Sequence, residues 1–447
     1  MHRGHHGNGE ASGSCKAGDS DRSFEPSTLR NILKLVAYFL LIISRMMASF
    51  VFSILITASL VTRSEFYNTR DAEIDRLLKK LNKPALRSIK SPDGDIIDCV
   101  HMKNHPIYDH PLFKNHTIQM RPSSYPKRLN NESFDPEKHN TITQLWTING
   151  KCPKNSIPIR RTKREDILRA DSIERYGQKD PNNFPQPNPT YSTNDNSSHE
   201  YAQVIVRGNF HGAKALINVW KPHAQPREFS LAQIWVVARS SNDTKHNSIE
   251  VGWQVYESKY GDDNPRYFIY WTADGYNRTG CYNLECSGFV PVNQHFAIGA
   301  AVRAVSTLGG RQEMFPATIW KDPHSGHWWL KFSTHLIIGY WPSSLFNHLQ
   351  NGANEIQWGG EIINRKDSSQ HTTTQMGSGN FAQEGYKKAS YFRNLEIVDE
   401  NEITRQHFGT GSIHMTKESC YNIIPGTHQV WGHFFFYGGP GRNPNCI

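Results

Sequence analysis

From His199 onward, short apolar runs alternate with turn residues. The runs are YAQVIVRG, KALINVW, SLAQIWVVA, SIEVGWQVY, RYFIYWTA, HFAIGAAV, WWLKFS, LIIGYW, EIQWGGEII and QVWGHFFFYGG. They are aromatic and β-branched, and each is the length of a strand. This pattern predicts an all-β domain, a sandwich or a barrel. Two runs carry a second pattern. In IEVGWQV, Val251, Trp253 and Val255 share one face, and Glu250, Gly252 and Gln254 share the other. In EIQWGGEII, Ile356, Trp358, Gly360 and Ile362 oppose Glu355, Gln357, Gly359 and Glu361. Each strand therefore sets a Glu, a Gly and a Gln on the face away from its Trp. Glycine within a strand lets something approach the backbone, so one shared groove is a live reading.

Before His199 the pattern differs. Residues 1–30 lack apolar periodicity and are expected to be disordered. Residues 31–62 are apolar but broken by Lys34 and by Ser44-Arg45. The piece after Arg45, MMASFVFSILITASLV, has the length of a signal-peptide core, and the small residues Thr57-Ala58-Ser59 suit cleavage. A cleaved signal is favoured over an uncleaved anchor. The stretch 71–82 predicts a short amphipathic helix ended by Pro84. Trp146 to Ile148 is expected as a strand before an Asn149-Gly150 turn. Residues 176–198 hold Pro181, Pro185, Pro187 and Pro189 among Asn, Ser and Thr and read as a linker. The expected organisation is an extension (1–30), a signal or anchor (31–62), a small α+β region (64–175), the linker (176–198) and the β domain (199–447).

Composition narrows the function. The 447 residues carry a net charge of +9 with His neutral. The basic residues are scattered rather than striped, so nucleic acid is not an expected partner. Arg160, Arg161, Lys163 and Arg164 form one basic cluster, readable as a solvated face, a processing site or a contact for an acidic groove. Of seven Cys, six lie beyond the hydrophobic segment: Cys99, Cys152, Cys281, Cys286, Cys420 and Cys446. An even number there suits an oxidising compartment. Glycosylation sequons at Asn115, Asn131, Asn196, Asn242 and Asn277 point the same way. Cys99 and Cys152 are natural partners, Cys281 and Cys286 would close a small loop, and Cys420 with Cys446 would tie down the C-terminus. The expected localisation is secreted, extracellular or vacuolar, with membrane attachment only if residues 31–62 stay uncleaved. His101, His105, His110 and His116 cluster ahead of the linker and read as surface residues, as a pH sensor or, least favoured, as a zinc site. No metal or cofactor is expected.

Glu250 and Glu361 could be ordinary salt-bridged strand residues. If instead they share a groove, mutual repulsion raises one pKa, so that one carboxyl activates water while the other donates a proton. They lie 111 positions apart, so only the fold could join them. Gln254 and Gln357 would then position substrate or water. Tyr270, Trp271 and Trp358 are candidates for a substrate pocket, although the phase of Trp358 favours the core.

EVGWQVYESKYGDDNPRYFIYWTADGYNRTGCYNLECSGFV and IGYWPSSLFNHLQNGANEIQWGGEI resemble the neprosin family of plant glutamic peptidases. DGDIIDCVHMKNHPIYDHPLFKNHTIQMRPS and GKCPKNSIPIRRT resemble that family's activation peptide. The resemblance spans roughly residues 70–447. It implies a β-sandwich of two antiparallel sheets, a secreted proenzyme, and cleavage of peptide or protein substrates after proline in acid. The chain's own pro-domain would be its inhibitor. The family's catalytic glutamates match Glu250 and Glu361, and its catalytic-domain disulfides match Cys281–Cys286 and Cys420–Cys446. The alternative is a non-catalytic β-sandwich that binds cell-wall polysaccharide or protein. The separation of the two carboxylates discriminates: beyond about 8 Å they could not work through one water.

Overall fold

The computed structural model describes residues 26–128, 143–179, 199–240, 243–333, 336–365, 370–406 and 411–447. It comprises two compact units, residues 1–72 and 73–447. Helix Pro26–Leu81 accounts for the described part of the first unit and its last turns enter the second. The helix does not break at Ser44-Arg45, and Ser27–Thr57 is long and apolar enough to cross a membrane. That length also fits a signal sequence near an N-terminus. The short helix expected over 71–82 is the end of this longer one, with Ile74 buried.

In the second unit, strands Ala85–Lys90, Ile96–His101 and Ser156–Arg160 form a small antiparallel sheet. A Cys99–Cys152 disulfide crosses beneath it. The basic cluster is built into this region. Arg160 pairs with Asp95 at 2.9 Å and Asp166 at 3.0 Å, Arg161 with Asp98 at 2.6 Å, and Arg164 with Asp75 at 2.9 Å. Trp146 is not in a strand. Its ring nitrogen bonds Gln144 at 2.9 Å, and Leu145–Ile148 winds into a 3-10 turn.

The remainder is a sandwich. Its first sheet has six antiparallel strands: β1 (His199–Phe210), β2 (Ser230–Ser240), β3 (Asp243–Val255), β4 (Arg266–Thr272), β5 (Ala353–Ile363) and β6 (Ser412–Met415), in the spatial order β6-β1-β5-β2-β3-β4. The facing ten-stranded sheet is centred on Gly212–Asn218, Met314–Lys321 and Ser390–Val398. Among the described residues all its pairings are antiparallel except one. Strand Lys127–Arg128, from the N-terminal region, joins its edge parallel to Ile403–Gln406. The apolar faces meet in one core that includes Val251, Trp253, Ile356, Trp358, Phe315 and Ile319, all buried. Burying such side chains stabilises the fold by roughly 1.5–3 kcal/mol each. The 295–302 run, expected as a strand, makes only isolated bridges at Ala301 and Val302. Gly299, at φ +84°, breaks its extension.

Candidate active site

The groove lies on the face of the six-stranded sheet that turns away from the core. Register alone sets its floor. Across the sheet, Gly359 pairs with Gln203 on one side and Gln233 on the other, and Gln233 pairs with Gly252. One row further along β5 stands Glu361, and one row further in the opposite sense on β3 stands Glu250. The two carboxylates therefore sit diagonally about Gln233. A β-carbon at Gly252 would come within 2.0 Å of the Ala232 carbonyl oxygen, and one at Gly359 within 2.3 Å of that of Ala202. Only glycine permits so close an approach, and the row is left without side chains beside Gln233.

Gln233 joins the pair. Its amide nitrogen is 3.2 Å from Glu250 Oε2 and 3.5 Å from Glu361 Oε2. One NH2 group spanning both carboxylates bounds their separation below the roughly 8 Å that a shared water allows. Both carboxylates and Gln233 are buried, and the Gln233 carbonyl oxygen has no partner among the described residues.

Glu250 is held on four sides. Lys179 donates to its Oε2 at 2.5 Å, Tyr276 and Ser248 donate to Oε1 at 2.7 and 3.0 Å, and Gln233 completes the set. The Lys179 ammonium also lies over the rings of Tyr270, Tyr276 and Tyr282, 4.7, 5.3 and 5.7 Å from their centroids. Burial pushes the Glu250 carboxyl up. The Lys179 charge and the hydrogen bonds from Lys179, Tyr276 and Ser248 outweigh it and hold the carboxyl below its ordinary range. The Tyr276 hydroxyl is raised well above its usual value, by burial first and then by the Glu250 charge, so it stays a donor. Glu361 is met by His199 Nδ1 at 2.5 Å. Lys179 and His199 thus grip one carboxylate each, from the two ends of residues 180–198.

Of the other expected site residues, Tyr270 stands at the groove, where its hydroxyl accepts from the Lys179 backbone N–H at 3.2 Å. Trp271 and Trp358 do not line the groove. Both are buried in the sandwich core, because period two turns them to the face opposite Tyr270 and Gln357. Gln254 and Gln357 share the groove face but bond elsewhere, Gln254 to the Tyr260 hydroxyl at 2.7 Å and Gln357 to Glu355 at 2.6 Å. The disulfides Cys281–Cys286 and Cys420–Cys446 are formed. Asn115 and Asn277 are exposed, whereas Asn131, Asn196 and Asn242 lie outside the described residues. The cluster His371, Cys420 and Cys446 resembles a metal set by distance, but its cysteines form the disulfide.

Sequence reasoning missed Gln233 and Lys179. A signal existed for the first: Gln233 is a polar residue within SLAQIWVVA, otherwise an apolar strand. For Lys179 there was none, because it opens the Pro- and Asn-rich stretch.

Fold and site define a β-sandwich protein with a buried two-carboxylate groove, stoppered by a lysine from its own N-terminal region. The neprosin family model matches residues 226–440, and the neprosin activation peptide model matches residues 88–205. The chain belongs to the neprosin family and is a peptidase that carries an activation peptide. A crystal structure of scytalido-glutamic peptidase with a peptide-based transition-state analog is a distant structural likeness. It shares 10% identity over 54% of this chain and 98% of that chain, with a TM-score of 0.31.

Proposed function

We propose that the chain is the proenzyme of a secreted glutamic endopeptidase that cleaves after proline in acid, with Glu250 and Glu361 as its dyad. The observation that carries this reading is the single Gln233 amide within 3.5 Å of both carboxylates. Residues from about 64 to 175 act as the pro-domain, and cleavage within the linker 176–198 frees the β domain.

With Lys179 seated, Glu250 is neutralised and water has no access to it. Once Lys179 leaves, the buried Glu250 loses its cation, and desolvation together with Glu361 favours one shared proton. The ionised carboxylate then takes a proton from water as the water oxygen adds to the peptide carbonyl carbon. The protonated partner donates to the carbonyl oxygen. Collapse of the tetrahedral intermediate breaks the C–N bond, with the proton passing to the departing amine. Gln233 keeps the two carboxylates at working distance and offers its carbonyl oxygen to the attacking water. Tyr270, Tyr276 and Tyr282, freed of the ammonium, present aromatic faces to the residue at the scissile bond, and a proline ring fits such a cage.

The test is a peptide-library digest of the acid-treated full-length protein across pH 2–8, a range set around ordinary carboxylate and imidazole pKa values, with cleavage sites read by mass spectrometry. Cuts after proline that fade as pH rises past about 6 support the reading, since both carboxyls are then ionised. Cuts without regard to proline would remove the specificity, and no cuts at any pH would remove the peptidase.

A further inference from the structure

The groove does not end at the dyad. Beyond Glu361 it opens into a cavity of about 480 Å³ between the β domain and residues 166–179. The β-domain wall of this cavity is aromatic and cationic. Phe229 and Tyr256 stack edge to face, with ring centroids 5.4 Å apart, and Arg227, Lys259 and Arg365 border them. No carboxylate lines the cavity from that side among the described residues. Lys259 is matched by Glu285 at 2.6 Å. The two arginines belong together: Arg365 Nε donates to the Arg227 carbonyl oxygen at 3.1 Å. Arg227 holds φ +66°, a conformation that costs a non-glycine residue of order 1 kcal/mol and here aims that carbonyl at Arg365. Glu228 lies behind them and accepts from the Arg365 backbone N–H at 2.9 Å, while its other oxygen accepts from Thr372 and Thr374. The N-terminal region answers with an acid. Asp171 Oδ2 stands 3.5 Å from Arg365 Nη2.

Arg365 stands two residues past the end of β5 at Ile363 and lines the cavity with it. At about 3.3 Å per residue it lies within roughly 13 Å of Glu361. An extended peptide covers that distance in about four residues.

Resting on the peptidase reading, we propose that this cavity is a subsite for an acidic substrate side chain, held by Arg365 and Arg227 three or four residues from the scissile bond. In the proenzyme Asp171, exposed at the rim of the cavity, pairs with the same Arg365 guanidinium. A guanidinium fork pairs with a carboxylate in two-point fashion, which a neutral or cationic side chain cannot copy.

The probe is a set of proline-containing peptides in which a single Glu, Gln or Lys is walked from four residues before to four after the proline. The acid-activated protein is expected to favour Glu about three- to tenfold in kcat/KM at one position three or four residues out, with the preference shrinking at high salt. Arg365→Glu with Arg227→Glu should invert the Glu-to-Lys ratio at that position alone. A flat scan, or a ratio the double variant leaves unchanged, overturns the subsite while leaving the peptidase intact. A second readout needs no turnover. Asp171→Lys in the full-length chain should speed proteolytic nicking of residues 166–179 at neutral pH, and Asp171→Glu should not. Equal nicking rates would contradict the proposal. Absence of cleavage for every peptide would instead defeat the peptidase reading.

Discussion

The N-terminal region grips the β domain in two chemically different ways. At one end, Arg266 is fully buried and takes Asp95, Asp93 at 3.3 Å and Asp262 at 2.6 Å, while Arg160 reaches the same Asp95. Burial pushes the Asp95 carboxyl up, but Arg266 and Arg160 outweigh it and hold it below its ordinary range. Guanidinium stays charged throughout, so this grip persists in mild acid. The other end depends on groups that acid converts. His105 caps a 3-10 turn, accepting from the Ile107 N–H through Nδ1 at 3.0 Å, while Nε2 meets the Pro291 carbonyl oxygen of the β domain at 3.1 Å. Burial lowers its pKa to about 4, against a smaller upward pull from Pro291, and nearby His116 lowers it further. His327, near His116, is lowered to about 4 for the same first reason. Such histidines add docking stability above pH 6.5 that is lost as pH falls from 6.5 through 4, because the released form binds the proton more readily. Glu250 works in the same sense. Its pairing with Lys179 is complete above the ordinary carboxylate range and is lost as pH falls through its lowered value. Acid therefore loosens the histidine face first, whereas the Lys179 stopper and the arginine anchor both last until their lowered carboxyls take up protons.

That difference can be broken experimentally. Arg266→Met strands Asp93 and Asp95 in the interface and should cost about 3–5 kcal/mol, read as a fall in melting temperature and loss of latency at neutral pH. Lys179→Met should cost less, about 2–4 kcal/mol of docking, and should raise the pH at which activity first appears. Retained latency at the wild-type pH would show that the stopper is dispensable. His105→Asn keeps an acceptor for the Ile107 N–H but cannot titrate. It should flatten the pH dependence of release between 6.5 and 4 by about one proton, as followed by fluorescence or limited proteolysis. Trp358→Phe should cost roughly 1–3 kcal/mol of stability with cleavage sites unchanged, since that ring packs the core. An altered specificity would return it to the groove.

Much of the site was legible before the fold. Period two assigned Glu250, Gly252 and Glu361 to one kind of face and Val251, Trp253 and Trp358 to the other, and the sheet kept both assignments. The same rule, carried through to Trp271, would have placed it in the core with them. The strand order was not legible. Gln233 belongs to the site because β2 runs between β5 and β3, and no local property of SLAQIWVVA reveals its neighbours. Lys179 was hidden for a related reason. Its contact with Glu250 closes over 71 residues, and proline-rich surroundings argue for a linker whatever a single lysine does. The expected strand at 146–148 failed because a side-chain bond from Trp146 to Gln144 favours a tight turn.

The most direct measurement is hydrolysis of a proline-containing peptide near pH 3–4 by acid-activated wild-type, Glu250→Gln and Glu361→Gln proteins, each checked for an unchanged melting temperature. The dyad predicts that either variant loses at least about a thousandfold in kcat, and that the double variant loses little more. Cleavage at the wild-type rate by either folded single variant would contradict it.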